Sequence, residues 1–269
     1  MTAPGAASLR FRSLGSGSGG NATLVEAQPR DGARPTRILV DCGLGPRQLA
    51  LRLATRGVLL ADIDAIFVTH EHSDHVGSVL AVQRKHGTPV WASAGTWAAA
   101  TAKLDDAPAC GVARDGEAIV VGSISVLPFA VPHDATEPLQ LSCSDGVHRI
   151  GILTDIGEPT DAVVHSLQGC DALLLETNHD AALLRDGGYP VWLKRRIGGT
   201  RGHLSNDQSA ALLSGCRHDG LRHVVAAHLS LQNNRPELAL AALRAALGTA
   251  ATQLCAADAA LGCAWVEIN

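Results

Sequence analysis

The sequence predicts an α+β fold that forms one domain over residues 8–269. Predicted strands come first along the chain, strands and helices then mix, and this order of elements occurs twice. No linker divides the chain, and 269 residues are enough to bury a large core. Hydrophobic residues make up 46% of the chain but aromatic residues only 3%, so the core must consist of Leu, Val, Ile and Ala side chains.

The first predicted elements are two strands on either side of a glycine-rich segment. Residues 9–14 and 22–27 alternate like paired strands. The glycines of residues 15–21 therefore predict a close approach of backbone to a ligand or to a metal-binding loop, although a flexible linker is the alternative. After a Pro/Gly/Arg loop, a strand rich in Ile, Leu and Val is predicted over residues 37–41. A helix is predicted over residues 46–56, and it begins with proline, which is favoured in the first turn.

Apolar runs of strand length and apolar residues at helical spacing predict the remaining elements. The turn signal Asp145-Gly146 predicts a hairpin between two of the strands. Predicted strands cover residues 63–69, 89–92, 118–121, 123–130, 138–143, 147–153, 171–176, 223–227 and, at a sheet edge, 261–268. Predicted helices cover residues 76–86, 94–104, 159–168, 180–186, 190–197, 205–215 and 236–247.

The charge and the cysteines of the chain argue against some classes of protein. A net charge of −4 argues against a nucleic-acid protein that relies on a strong global basic field, although not against a local basic patch. No apolar run reaches 18 residues, and residues 1–8 lack the pattern of a secretory signal, so we expect neither a membrane span nor secretion. Seven cysteines without CxxC pairs predict reduced thiols in a cytoplasmic protein.

The strand at 63–69 is followed at once by four side chains that can bind metal: His70, His72, Asp74 and His75. In an extended chain His70 and His72 point the same way, whereas the adjacent Asp74 and His75 point elsewhere. This spacing favours two ligand pairs that face two metals. Imidazole and carboxylate ligands without thiolate suit zinc, manganese or iron. The alternative is a solvated polar loop in which the histidines occur by chance.

The stretch Thr69-His-Glu-His-Ser-Asp-His75 resembles the HxHxDH signature of the metallo-β-lactamase superfamily. In that superfamily the signature follows a strand and precedes a helix, as it does here. The stretch Leu14-Gly-Ser-Gly-Ser-Gly-Gly-Asn21 resembles the LGSGSxGN opening of the superfamily's YycJ-type branch. The resemblance implies an αββα sandwich, the metallo-β-lactamase fold, with two mixed sheets packed face to face and flanked by helices. The predicted order of elements fits this fold.

The same resemblance implies where the remaining ligands lie. His133 follows a predicted strand, and a lone histidine there is otherwise more often structural. Asp155 resembles the bridging carboxylate, and His228 follows an apolar strand. Asp41 resembles the superfamily's supporting aspartate, which holds the metal loop without being a ligand. Two divalent ions per chain are implied, one held by His70, His72, His133 and Asp155 and the other by Asp74, His75, His228 and Asp155.

Three further stretches indicate the activity. His203, taken with His228-Leu229-Ser230, resembles ribonuclease Z, in which the first histidine contacts the scissile phosphate and helps the leaving group. Glu176-Thr-Asn-His-Asp180 followed by Gly202-His-Leu-Ser-Asn206 resembles the YycJ-type proteins and implies nuclease activity on DNA. Asp74, His179 and His203 are therefore the catalytic candidates. The alternatives are an exposed loop histidine at position 179 and a neighbour of a helix cap at position 203.

A compact basic run lies close to His203 in the sequence. Substrate contacts are expected from Lys194, Arg195, Arg196, Arg201 and Ser230, with the basic side chains on the phosphate backbone. A solvated helix face is the alternative. The chain lacks the long exosite arm of ribonuclease Z, which argues against a tRNA substrate. The resemblance to the YycJ-type proteins implies that DNA is favoured over RNA. The chain is expected to be a monomer or a dimer.

The preferred interpretation is a dinuclear metal-dependent hydrolase, a phosphodiesterase or DNA exonuclease-like nuclease that uses a metal-bridging hydroxide. A thioester or lactone hydrolase of the same fold is the alternative enzyme. A metal-stabilised binding protein without turnover is the third class, and a complete ligand set argues against it.

Overall fold

The structure is a computed structural model that describes residues 8–29 and 31–268. Residues 1–7, residue 30 of the Pro/Gly/Arg loop and the predicted domain bound at residue 269 lie outside the described residues. The strands are β1 Ser8–Gly15, β2 Ala22–Gln28, β3 Thr36–Val40, β4 Ala65–Phe67, β5 Val90–Ala92, β6 Gly111–Val112, β7 Ile119–Val121, β8 Ile124–Ala130, β9 Leu139–Ser144, β10 Arg149–Leu153, β11 Ala172–Glu176, β12 His223–Ala227, β13 Gln253–Ala256 and β14 Val266–Ile268. The helices are α1 Pro46–Ala54, α2 Ser73–Val76, α3 Val79–His86, α4 Ala94–Thr101, α5 Asp161–Leu167, α6 Ala181–Asp186, α7 Val191–Ile197, α8 Asn206–Cys216 and α9 Pro236–Leu247, with a 3₁₀ turn at Leu60–Asp62.

The strands form two seven-stranded mixed sheets with the same internal plan. The first sheet has the order β14-β1-β2-β3-β4-β5-β6 and the second β13-β12-β11-β10-β9-β8-β7. In the first sheet the pairs from β14 to β3 are antiparallel and those from β3 to β6 parallel. In the second, the pairs from β7 to β10 are antiparallel and those from β10 to β13 parallel. The repeated order of elements predicted from the sequence is confirmed.

The two sheets share one apolar layer, and helices cover their outer faces. Phe11 and Phe67 of the first sheet belong to the same buried cluster as Leu141, Ile152 and Leu174 of the second. A second cluster packs α5, α8 and α9 on the second sheet, and a third packs α1 and α3 on the first. The predicted αββα sandwich is therefore confirmed. One domain over residues 8–269 stays a prediction, which the shared layer favours.

Some elements differ from the sequence prediction. The predicted helix over 76–86 is two helices, because Ser78 donates its backbone N–H to the carbonyl of Cys42 at 2.7 Å and the chain breaks at Gly77. Strands β6 and β13 were not predicted. Both are short, and the exposed residues of β13 alternate with half-buried ones, so neither carries a clear apolar pattern. None of the described helices has the length and apolarity needed to cross a membrane.

Candidate metal centre

The predicted ligands meet at one end of the sandwich. His70 follows β4 of the first sheet, while His133, Asp155 and His228 follow β8, β10 and β12 of the second. The chain leaves each of these strands at its carboxyl end, and these ends lie together. Rigid strand ends from two sheets therefore position the side chains, which is the arrangement that holds a site to a fixed geometry.

The first ligand group is His70, His72 and His133, whose donor atoms all lie within 4.8 Å of one another. His70 Nε2 is 3.0 Å from His72 Nδ1. His133 Nδ1 is 3.0 Å from the carbonyl oxygen of Gly202, so the ring donates there and leaves Nε2 for the centre.

The second ligand group is Asp74, His75 and His228, with donor atoms that also lie within 4.8 Å of one another. His75 Nε2 is 3.6 Å and His228 Nε2 is 3.7 Å from Asp74 Oδ2. His228 has φ 55°, a left-handed conformation that is strained for a residue other than glycine. Its backbone N–H donates to Ser16 Oγ at 2.7 Å, and Asn178 Nδ2 donates to its carbonyl at 2.8 Å.

Asp155 lies between the two groups and is buried. Its Oδ2 is 3.1 Å from His75 Nε2, while its Oδ1 is 3.9 Å from His133 Nε2 and 3.8 Å from His228 Nε2. His133 Nε2 and His228 Nε2 are buried without a hydrogen-bond partner in the described part of the chain, and the nearest charged group to Asp155 Oδ2 is the His75 ring at 3.1 Å. Unpartnered buried polar atoms are costly, so two such ring nitrogens on either side of a buried carboxylate call for a ligand. Nitrogen and carboxylate donors in this arrangement fit divalent metal ions.

Charges in the centre also fit a cation. Burial lowers the pKa of His70 and of His133, which favours the neutral imidazoles that metals bind. Burial acts on His75 and His228 in the same direction, but the negative charge of Asp155 and further acidic partners outweigh it and raise the pKa of both, that of His228 to about 10. A raised pKa means that the surroundings of these two rings favour a positive charge. A divalent ion bound by the rings would supply that charge in place of the protons.

Asp41 supports the metal loop from behind. Its carboxylate accepts hydrogen bonds from the backbone N–H of Thr69 at 2.8 Å and from His75 Nδ1 at 2.7 Å. The hydroxyl of Thr69 lies 2.9 Å from Asp41 Oδ2 and 3.0 Å from His70 Nδ1, so it links both. Holding Nδ1 of a histidine turns Nε2 towards the metal and makes it a stronger ligand. Asp41 itself has φ 61°, a second strained backbone at the centre.

The glycine-rich segment packs directly on the metal loop. The backbone N–H of Asn21 donates to the carbonyl of Asp74 at 2.7 Å, and Asn21 Nδ2 donates to Asp74 Oδ2 at 3.2 Å. The N–H of Gly43 donates to the carbonyl of Asn21 at 2.9 Å. The predicted close approach of backbone is confirmed, and the flexible-linker alternative is wrong.

We expect Gly43→Ser to destabilise the protein by about 3 kcal/mol or more, at or above the upper end of the cost of overpacking. A Cβ atom at Gly43 would overlap the backbone carbonyl of Asp74, and backbone cannot rotate away as a side chain can. Gly45→Ser is the matched control, because Gly45 has open space around it and serine is a good residue at the helix N-cap that it occupies. Urea unfolding of the two variants measures the difference, and equal midpoints would contradict the packing argument.

Glu176 opens the Glu-Thr-Asn-His-Asp stretch noted in the sequence, but the sequence analysis gave this carboxylate no role of its own. It is fully buried at the end of β11, and its Oε2 accepts the backbone N–H of Ile156 at 2.9 Å. Its Oε1 lies 2.7 Å from His203 Nδ1. Burial alone would lower the pKa of His203, but the charge and hydrogen bond of Glu176 outweigh it and raise that pKa. The available signal was a lone carboxylate closing an otherwise apolar strand.

His203 faces a cleft of about 360 Å³ above the metal centre. Ser205 caps α8 through its Oγ, which accepts the N–H of Gln208 at 3.2 Å. The cleft is lined by residues of the centre and of α7: Ser18, His72, Ser73, Asp74, Asp134, Asp155, Leu193, Arg196, Ile197, Gly202, His203 and His228. A larger cavity of about 750 Å³ lies at the opposite ends of β12 and β13, away from these ligands.

His179 is brought near the centre but is not exposed to the cleft. Its side chain is buried, it forms a β-bridge with Ser205, and burial lowers its pKa to about 4. The alternative of a solvent-exposed loop histidine is wrong, and its catalytic role stays a prediction that its position does not favour.

The residues predicted to contact the substrate do not all lie at the cleft. Arg196 lines the cleft, and its Nε donates to Asp134 Oδ2 at 2.6 Å. Lys194 Nζ donates to the carbonyl of Arg185 at 2.7 Å, while Arg201 Nε donates to the carbonyl of His133 at 3.1 Å. Arg195 is exposed on α7.

Ser230 does not line the cleft. Its Oγ accepts the backbone N–H of Asn233 at 3.1 Å, so the hydroxyl already serves its own loop. The structure therefore does not favour a substrate contact by Ser230.

Known proteins match this chain over most of its length. The profile of the Beta-lactamase superfamily domain matches residues 36–229. Exodeoxyribonuclease YycJ of Bacillus anthracis is 34% identical over 233 residues, which are 86% of each chain. Exodeoxyribonuclease WalJ of Streptococcus pneumoniae serotype 2 is 33% identical over 236 residues, 86% of this chain and 85% of that protein. The crystal structure of the metallo-β-lactamase fold protein YhfI from Bacillus subtilis superposes with a TM-score of 0.73 at 15% identity, covering 97% and 99% of the two chains. The chain therefore belongs to the metallo-β-lactamase superfamily, in the family of the YycJ and WalJ proteins.

Proposed function

We propose that the chain is a dinuclear metal-dependent phosphodiesterase that acts on DNA. The observation that carries the proposal is one buried carboxylate, Asp155, between two ligand groups, with His203 fixed beside it at the cleft. His203 belongs to neither of these two groups, although its donor atom also lies within 4.8 Å of those of Asp155, Glu176 and His228; we assign it a role in the reaction and not in metal binding.

Two ions per chain would be held by the groups described above, with Asp155 shared. A carboxylate has two oxygens and can serve two cations about 3.5–4 Å apart, the separation of two-metal sites. Zinc and manganese are the preferred candidates, followed by iron. Divalent ions held there would lower the pKa of a water molecule and stabilise negative charge on a phosphate.

His203 is the residue that can act on the substrate directly. Glu176 holds Nδ1, so Nε2 is the nitrogen that remains for a substrate in the cleft. In its protonated form the ring can hold a phosphate oxygen and give a proton to the leaving oxygen. Asp74 also lines the cleft, where Asn21 fixes its carboxylate.

DNA is the favoured substrate for two reasons. The relatives that share a third of their residues with this chain bear the name exodeoxyribonuclease. Arg196 also lines the cleft, in an ion pair with Asp134, and Arg195 is exposed on the same helix, where a phosphate backbone would pass. A cytoplasmic location is part of the proposal and is supported by the seven cysteines, all of which are free thiols.

The proposed function is tested with 5′-labelled single- and double-stranded DNA and RNA, each offered with manganese or zinc. We expect DNA to be degraded fastest, and the pattern of labelled products gives the polarity. A thioester and a lactone are offered to the same preparation. Turnover of either of these at a rate that exceeds that of every nucleic acid would overturn the proposal.

A further inference from the structure

Helix α7 exposes an aromatic side chain beside the cleft. Trp192 is 66% exposed, and its indole has no hydrogen bond or ring contact within residues 8–29 and 31–268. The other three tryptophans are half-buried: Trp97 donates Nε1–H to the carbonyl of Pro108, and Trp265 lies under the guanidinium of Arg10. In a chain with few aromatic residues, a large unpartnered ring on the surface is a feature that packing does not explain.

The geometry of α7 relates this ring to the cleft. Residues three and four apart on a helix are neighbours, so Trp192 shares a face with Arg195 and Arg196. Arg196 lines the cleft and is bonded to Asp134, whose Oδ1 is 3.4 Å from His133 Nε2. Trp192 therefore lies one helical turn from Arg196, whose guanidinium is held beside the metal centre by Asp134. Arg195 is exposed and has no ion pair or hydrogen bond among the described residues.

We propose that Trp192 stacks on an unpaired base of the nucleic acid strand whose phosphate lies at the metal centre, with Arg195 on the neighbouring backbone. This inference rests on the proposed function and names the form of its substrate as a single-stranded segment. An indole next to a guanidinium can contact both parts of one nucleotide: the indole stacks on the base, and the guanidinium binds the phosphate. A base inside a duplex has both faces covered by its neighbours, whereas an unpaired base offers a free face to the indole. The surface therefore favours strand ends and single strands over intact duplex.

The test compares Trp192→Ala and Trp192→Phe with the wild type in manganese. The readout is kcat/KM for a single-stranded oligodeoxynucleotide divided by kcat/KM for bis-p-nitrophenyl phosphate. We expect this ratio to fall roughly 10- to 100-fold in Trp192→Ala, the effect of one base–aromatic stack, and to recover in Trp192→Phe. Val191→Ala is the matched control, because Val191 is 64% exposed on the same helix but has no ring. Its ratio should equal that of the wild type.

A second substrate identifies the base. An abasic site moved along the oligonucleotide should slow the wild type at one or two positions, and Trp192→Ala should not be slowed further there. An unchanged ratio in Trp192→Ala overturns the inference while leaving the nuclease proposal intact, whereas a wild type that cleaves no nucleic acid removes the nuclease proposal instead. A change in oligomeric state of Trp192→Ala on gel filtration, with an unaltered ratio, would assign the surface to contact between copies of this chain.

Discussion

Replacing Asp155 with alanine should remove both metal ions and reduce phosphodiester turnover to background. The wild type, incubated with excess manganese or zinc and desalted, should retain about two ions per chain. Asp155 is 2% exposed and is the one ligand shared by the two sets that the resemblance implies. Its carboxylate lies within 4.8 Å of donor atoms of His70 and His75 on one side and of His228 on the other. Its loss takes a ligand from each ion and leaves the histidines around it without their negative partner. Metal analysis and turnover of bis-p-nitrophenyl phosphate on the same preparation measure the two effects.

Two variants separate this role from support of the loop. Asp155→Asn keeps the shape of the side chain but loses its charge, and it should also lose metal. Asp41→Ala should be milder, because Asp41 contacts Thr69 and His75 from behind the centre and is not placed as a ligand. Its effect should be lower metal affinity and lower stability, with activity that returns at high metal concentration. Full metal content and activity in Asp155→Ala would show that the bridging role is wrong. A wild type that binds no metal would contradict the proposed metal centre as a whole.

Much of this arrangement could be predicted because the ligands depend on local features. His70 and His72 are two residues apart after a short apolar strand, so their common direction follows from chain geometry. Asp155 and His228 each follow directly on an apolar strand. The direction of those strands brings their ends together, and the resemblance to a known signature implied which of the ends carry ligands.

The features that could not be predicted depend on contacts between distant parts of the chain. Glu176 and His203 are 27 residues apart, and nothing in either local sequence says that a carboxylate and an imidazole meet at 2.7 Å. The sequence left His179 as either a catalytic residue or an exposed loop histidine, whereas in the structure it forms a β-bridge with Ser205 and its side chain is buried. The helix after the metal loop breaks because Ser78 donates its backbone N–H to the carbonyl of Cys42, which follows β3, and not to a carbonyl within the helix.

The strained backbone conformations of Asp41 and His228 are maintained in the same way. Asp41 and His228 both adopt positive φ, which costs on the order of 1–3 kcal/mol for each. Each is held by hydrogen bonds from another segment: Asp41 by Thr69, and His228 by Ser16 and Asn178. Strain of this kind persists where surrounding structure over-determines it, so the glycine-rich segment that carries Ser16 is part of what keeps His228 in place.

Replacing His203 with alanine should lower phosphodiester turnover by about 10²–10⁴-fold while the metal content stays at that of the wild type. His203 completes neither ligand group, so its loss should not release metal. It lines the cleft with one ring nitrogen held by Glu176, so its loss removes a positioned proton donor and a contact to phosphate oxygen. Glu176→Gln should give a smaller loss, because the amide oxygen can still accept from His203 but no longer favours its protonated form. Its NH2 group cannot accept the N–H of Ile156, so the stability of this variant is measured as well. His165→Ala, on α5 and outside the cleft, is the control for loss of a histidine.

Turnover of a thioester in the same variants completes the comparison, since a hydrolase of that class depends less on a proton donor for its leaving group. Wild-type phosphodiester turnover in His203→Ala with intact metal would exclude this histidine from the reaction, and with it the main structural reason to prefer a nuclease over an acyl hydrolase.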